Sequence, residues 1–184
     1  MRAALPAVLA AAALVVTACA PARSPADAGG TAIPDAAEVP DVAAGAAAVV
    51  VPPGAARPET ALPVFVVDVA ATYAARERGL GGREALDDDR GMLFVYAESR
   101  SRRFWMKDCL VALDIAFLDE QGRVLEIATL PPGVGLTGDD VPAARCEGPV
   151  RFVLEVRAHR LAELGLAAGD LVDVRRAVAG VTPD

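Results

Sequence analysis

About seven short apolar runs, separated by clusters of Gly, Pro and Asp, set the limits on what this chain can fold into. Val64–Val69, Gly91–Tyr96, Phe104–Lys107, Leu113–Leu118, Arg123–Leu130, Val150–Val156 and Leu171–Arg175 are rich in β-branched or aromatic residues and too short for stable helices, so each reads as a strand. Tyr73–Arg78, with Thr72 positioned as N-cap and Gly79 behind it, reads as a short helix, and His159–Leu164, ended by Gly165, as a second. Asp119-Glu120-Gln121-Gly122 reads as a hairpin loop and 131–149 as a long loop. The expected fold is mainly β: a sandwich or small barrel of about seven strands with two short helices. The Gly169-Asp170 turn keeps the barrel open as an option.

The segment before Val64 cannot contribute comparably. Residues 1–18 carry one basic flank, Arg2, and an apolar run from Ala3 to Val16 too short to span a bilayer, which is the pattern of an export signal. The run ends in Val16-Thr17-Ala18-Cys19, which resembles a bacterial lipobox, so Cys19 is expected to be acylated and to become the mature N-terminus. Ala20 in the next position resembles the sorting rule for outer-membrane delivery, so the expected location is the periplasmic face of that membrane. Between 19 and 63 the Ala, Pro and Gly content reads as a tether, spanning about 35 to 40 Å as a flexible coil. Ala46–Val51 is the exception, apolar enough to form an edge strand instead. A domain over 64–178 and a tail over 179–184 complete the division.

The formal charge of -7 argues against nucleic acid as the main partner, because neutralising phosphates takes a basic surface. A local arginine patch remains compatible with a small anion. No serine sits in a nucleophile elbow, and no glycine-rich phosphate loop follows a strand. The one histidine, His159, has no partner at ligand spacing, so no metal or other cofactor is expected.

Rare residues gather in one place: Trp105 is the only tryptophan and Lys107 the only lysine. Strand alternation puts Phe104 and Met106 on one face and Trp105 and Lys107 on the other, Leu113, Ile115 and Phe117 opposite Asp114, and Arg151 and Glu155 opposite Phe152 and Leu154. If Trp105, Lys107 and Asp114 share a side of the sheet, they form a rim with an aromatic platform, a cation and a carboxylate. With Arg78, Arg83 and Glu155 they would line a polar cleft for a small anionic ligand or an envelope protein. The alternative is an enzyme using Lys107 with Asp114 or Glu155. A structural reading of each residue also stands, with Trp105 capping the core and Lys107 paired to an acid. A monomer is expected.

The order and spacing of Arg78-Gly79-Leu80, Gly82-Arg83, Gly91-Met92-Leu93-Phe94, Phe104-Trp105-Met106-Lys107, Leu113-Asp114-Ile115, Val153-Leu154-Glu155 and Gly169-Asp170 resemble the domain-of-unknown-function family 192 over Val64–Val178. The resemblance implies a small, mostly β, often exported domain and no particular reaction. Three departures stand out: Gly81 where the family has Met, Lys107-Asp108-Cys109 where it has Lys-Asn-Thr, and Cys146 where it has a small polar residue. With Cys19 assigned to lipid, Cys109 and Cys146 are the two cysteines left, and export permits oxidation. A disulfide between them is expected, closing about 40 residues and adding about 4 kcal/mol in the chain-entropy account; two buried thiols are the alternative.

The signal reading predicts that the wild-type protein partitions with membranes and carries acyl mass on Cys19. Cys19→Ser should move it to the soluble envelope fraction, as followed by fractionation and mass spectrometry.

Overall fold

The structure, a computed structural model, describes residues 48–51 and 63–184. The expected signal, Cys19 and most of the expected tether lie outside the described residues. Among the described residues there are seven strands: β1 (Ala48–Val51), β2 (Val64–Ala70), β3 (Arg90–Trp105), β4 (Leu113–Leu118), β5 (Val124–Leu130), β6 (Ala143–Arg157) and β7 (Leu171–Asp173). Three short helices accompany them, α1 (Tyr73–Arg78), α2 (Arg160–Glu163) and α3 (Arg175–Val178). The strand order is β5-β4-β6-β3-β2-β1-β7.

Its centre is a five-strand mixed sheet, β5-β4-β6-β3-β2, in which β2 and β3 run parallel through the α1 crossover and the other neighbours are antiparallel. β1 pairs with both β2 and β7. Ala48–Val51 is thus part of the sheet, inside the order rather than at its edge, which corrects the tether reading at that point. The domain expected from Val64 begins, in the described residues, with this strand. The sheet does not close into a barrel: between its ends the described residues form one isolated bridge, Arg123↔Leu171. Its seven strands follow one another in a single order rather than in two facing sheets.

Both faces of the sheet are buried. Phe65, Val67, Leu93, Val95, Leu118, Leu154 and Val156 pack on one face with Leu161 and Leu164 of the α2 region and Ala177 of α3. Met92, Phe94, Phe104, Met106, Leu113, Ile115, Phe117 and Val153 pack on the other. This is why β4 is buried at all six positions and reads as a continuous apolar run.

The expected strands Gly91–Tyr96 and Phe104–Lys107 are joined in the 16-residue β3, which ends at Trp105 and leaves Lys107 in an isolated bridge to Gly133. Likewise, the second half of the expected 131–149 loop is strand, because β6 begins at Ala143 and pairs with the outer half of β3 from Arg102↔Cys146 to Trp105↔Ala143. The Gly148-Pro149 pair, which argues for a loop by composition, falls where the ladder shifts register between Arg100↔Val150 and Arg102↔Cys146, a place that tolerates a residue with no N–H. The expected last strand is cut short by α3. The expected tail is docked: Asp184 N–H donates to Ala71 O, and its Oδ2 accepts from Tyr73 N at the start of α1.

Asp114 sits within β4, yet its carboxylate is the anchor of the α2 region. Oδ1 accepts from Thr129 Oγ1 at 2.7 Å and from His159 N at 2.9 Å, while Oδ2 accepts from Leu161 N at 2.9 Å. These bonds hold His159 in a left-handed conformation, φ 67, that a side chain ordinarily avoids. Asp114→Ala should therefore cost about 2–4 kcal/mol, measured by urea unfolding, because two backbone N–H groups and a hydroxyl lose their acceptor at once.

Candidate functional site

A cavity of about 400 Å³ opens beside the outer half of β3, between α1 with its following Gly79-Leu80-Gly81 turn and the Trp105–Cys109 segment. Its position follows from the sequence around it. Thr72 caps α1 by accepting from Ala75 N, and Gly79 ends it with φ 50. Gly82 N then donates to Asp108 O at 2.9 Å, tying the glycine turn to the end of the Trp-Met-Lys segment. Lys107 is bridged to Gly133, where a Cβ would come within 2.2 Å of Met106 O, so only glycine allows the 131–136 loop to lie this close. Gly81 lines the cavity without filling it, in the position where the resembled family carries a methionine.

The wall toward β3 is aromatic and cationic. Phe94 and Phe104 meet edge to face with centroids 4.8 Å apart. Arg102 is buried with its guanidinium carbon 3.6 Å from the Tyr96 ring centroid, and Arg76 approaches the same ring at 5.0 Å. Arg102 donates one bond, to Glu98 O at 2.7 Å, and its buried Nε has no partner among the described residues. Burial pulls Arg102 below the ordinary arginine value and pushes Tyr96 above the ordinary phenol value. Arg76 is neutralised by Asp184, at 2.7 Å.

At the inner end lie Glu155 and Cys109. Glu155 is 4% exposed. No hydrogen bond or ion pair reaches its carboxyl among the described residues, and desolvation alone pushes it up to about 8. Cys109 is pushed up to about 11 by burial, reinforced by the nearby charges of Glu155 and Asp108, so it is a thiol and not a nucleophilic thiolate at neutral pH.

The residues singled out from sequence separate into three groups. Trp105, Lys107, Arg78 and Glu155 line the one cavity. Trp105 is 48% exposed, and Lys107 Nζ stands 5.6 Å from its ring centroid, so both belong to the rim. Arg83 faces elsewhere: it is paired with Asp68 and lines a separate depression that it shares with Arg78. Asp114 faces the opposite side of the sheet, bonded into the α2 region, so the structure does not bring it together with Lys107. Among the described residues no group of three or more His, Cys, Asp or Glu could hold a metal ion.

Cys109 and Cys146 are not joined by a disulfide. Both are buried in the same core, and Cys109 also lines the cavity. Elimination by count does not supply the Cβ geometry that a disulfide requires.

Arg102, Tyr96 and Arg76 were not singled out from the sequence. Arg102 left a trace, for it shares the inward parity of Phe104 and Met106 in a strand whose other arginines fall on the outward or bulged positions. Tyr96 and Arg76 left none, since their meeting depends on where α1 crosses the sheet.

The sequence profile of the family described as Uncharacterized ACR, the domain-of-unknown-function family 192, matches residues 55–174. Two solved structures share the fold. A protein from Sinorhizobium meliloti 1021 described as a candidate transcription regulator is 25% identical, with a TM-score of 0.59 over 70% of this chain and 92% of its own. A protein of unknown function from Novosphingobium aromaticivorans DSM 12444 is 29% identical, with a TM-score of 0.57 over 69% of this chain and 83% of its own. No curated protein matches.

Glu155 provides a direct check on the site's electrostatics. A carboxyl whose folded value lies above its unfolded one contributes stability that is complete below about 4.5 and is lost as pH rises toward 8. Relative to Glu155→Gln, the wild-type protein should lose up to about 1.4 kcal/mol per pH unit across that window and follow the variant in parallel above it, as measured by chemical unfolding at a series of pH values.

Proposed function

The chain belongs to the domain-of-unknown-function family 192, and we propose that it serves as a lipid-anchored envelope protein whose cavity binds a small anionic ligand with an apolar body. The observation that carries this reading is Arg102: a buried guanidinium, stacked on Tyr96, with an unpaired Nε in a cavity of ligand size. A buried donor without an acceptor costs free energy in the empty protein, and a ligand oxygen removes that cost. Arg78, Arg100, Arg103 and Lys107 surround it and bias the approach toward anions, although the chain as a whole is acidic.

The apolar requirement comes from Phe94, Phe104 and Trp105, which offer ring surface within the same cavity. Binding rather than turnover is favoured because Lys107 is exposed at the rim and Cys109 is held as a thiol. A net charge of -7 gives no support for carrying the regulator description of the Sinorhizobium protein over to this chain as DNA binding. The export reading of 1–19 places the cavity in the envelope, tethered to a membrane, and makes small solutes or envelope components the available ligands.

Because Trp105 is the only tryptophan and stands at the rim, its fluorescence reports occupancy directly. Titration of the full-length protein with benzoate should give a saturable change. Arg102→Leu should weaken binding about tenfold or more, as expected for loss of a buried charged donor, while Lys107→Met should change it by only about two- to threefold. Equal affinity in wild type and Arg102→Leu sinks the reading.

A further inference from the structure

We infer that the ligand of this cavity is an oxyanion, a carboxylate or phosphate ester with an apolar body, and that it is taken up together with a proton carried by Glu155. This rests on the anion-binding reading above and names the chemistry of the same site.

The geometry supplies two inward polar groups that nothing in the described chain satisfies. One is Arg102 Nε. The other is the Glu155 carboxyl, on β6 between Met92 of β3 and Ile115 of β4, at the inner end of the cavity. Arg102 demands an acceptor. An ionised Glu155 demands a donor, and together they would call for a ligand of mixed charge. A protonated Glu155 is itself an O–H donor, and then both groups converge on the same ligand class, an oxygen acceptor bearing negative charge. The surroundings decide in favour of the second. Its cross-strand neighbours Met92 and Ile115 and the nearby Cys109 thiol give Glu155 an apolar setting with no ion pair among the described residues, which penalises its ionised form, and an anion seated near it penalises that form further. The arginines at the mouth oppose entry of a cationic ligand.

Other groups do not compete for this role. Those facing Glu155 are Tyr96 of β3 and Cys109 of the loop after β3, with Arg102 of β3 and Arg76 and Arg78 of α1 on the cavity wall; β4 contributes Ile115 at that level. Cys109 stays a thiol to about 11, and Tyr96 is raised above its ordinary value of 10.0. Of Glu155, Cys109 and Tyr96, the one that changes state between pH 7 and 9.5 is therefore Glu155, at about 8. Below that pH the proton is already in place, and above it each binding event must recruit one.

The test uses Trp105 fluorescence of the full-length protein with three probes: benzoate, phenyl phosphate and benzylamine. The Kd of whichever anion binds should rise about thirtyfold from pH 7 to pH 9.5, and the relative affinity of benzoate and phenyl phosphate assigns the carboxylate or the phosphate source. In Glu155→Gln, binding at pH 7 should persist and this rise should vanish. A rise of the same size in the variant, or a flat profile in wild type, overturns the proton coupling and leaves the anion site standing. Benzylamine binding that tightens above pH 8 overturns it in favour of a cationic ligand. Failure of both anions at every pH overturns the anion-site reading itself. Calorimetry of the wild type in buffers of different ionisation enthalpy supplies a measurement independent of the variant's folding. It should show uptake of about 0.9 proton per anion bound at pH 9 and about 0.1 at pH 7, and equal uptake at the two pH values overturns the inference.

Discussion

Antiparallel pairing of β3 with β6, running from Gly91↔Val156 to Trp105↔Ala143, is the interaction on which the rest of the structure depends. At its inner end it is the middle of a five-strand sheet, with apolar side chains on both faces. Beyond the register shifts between Val95 and Arg102 the same two strands continue as an arm whose inward side packs Phe104 against Phe94 and Phe117, with the cavity opening beside it toward α1 and the glycine turn. Gly91, where a Cβ would come within 2.5 Å of Glu155 O, is one point at which the two strands approach too closely for a side chain.

Covering both faces of one sheet also settles the fate of the charged residues in its strands. Asp114 and Glu155 are buried on opposite sides, and their surroundings differ completely. Asp114 meets two backbone N–H groups and a hydroxyl, which is a favourable site for a carboxylate, and it works as a structural anchor for the α2 region. Glu155 meets rings and a thiol and is held toward its neutral form. The same residue chemistry is thus structural on one face and poised on the other, decided by the donors within reach.

Much of the fold was legible in the sequence, and the reasons can be traced residue by residue. Thr72 and Gly79 marked α1 because capping and left-handed turns are local chemistry. The inward parity of Phe104 and Met106 held because alternation is a property of any extended strand. The continuity of β3 and the early start of β6 were not legible: Gly148 and Pro149 signal a loop by composition, and only the partner strand's bulge makes room for them. β1 was weakly marked, since Ala48–Val51 becomes a strand by pairing with segments that follow it by more than a dozen and by more than a hundred residues. Trp105, Lys107, Arg78 and Glu155 line one cavity, whereas Arg83, grouped with them from its place in the turn after α1, pairs with Asp68, and Asp114, grouped by alternation, lies on the other side, because alternation states the face of a strand and not which face of the sheet a neighbouring strand presents.

The amino-acid sequence by itself determined that the described domain is mainly β, where its turns fall, which side chains of each strand share a face, and which family it belongs to, because these depend on backbone propensities and spacing within a few residues. Tertiary structure alone decided that the strands form one sheet that does not close into a barrel, that Cys109 and Cys146 are not bonded to each other, and that Arg102 and Glu155 face one cavity. Those outcomes depend on strand order, register and the covering of each face, where contacts join residues far apart in the chain and burial rather than residue type fixes the charge state.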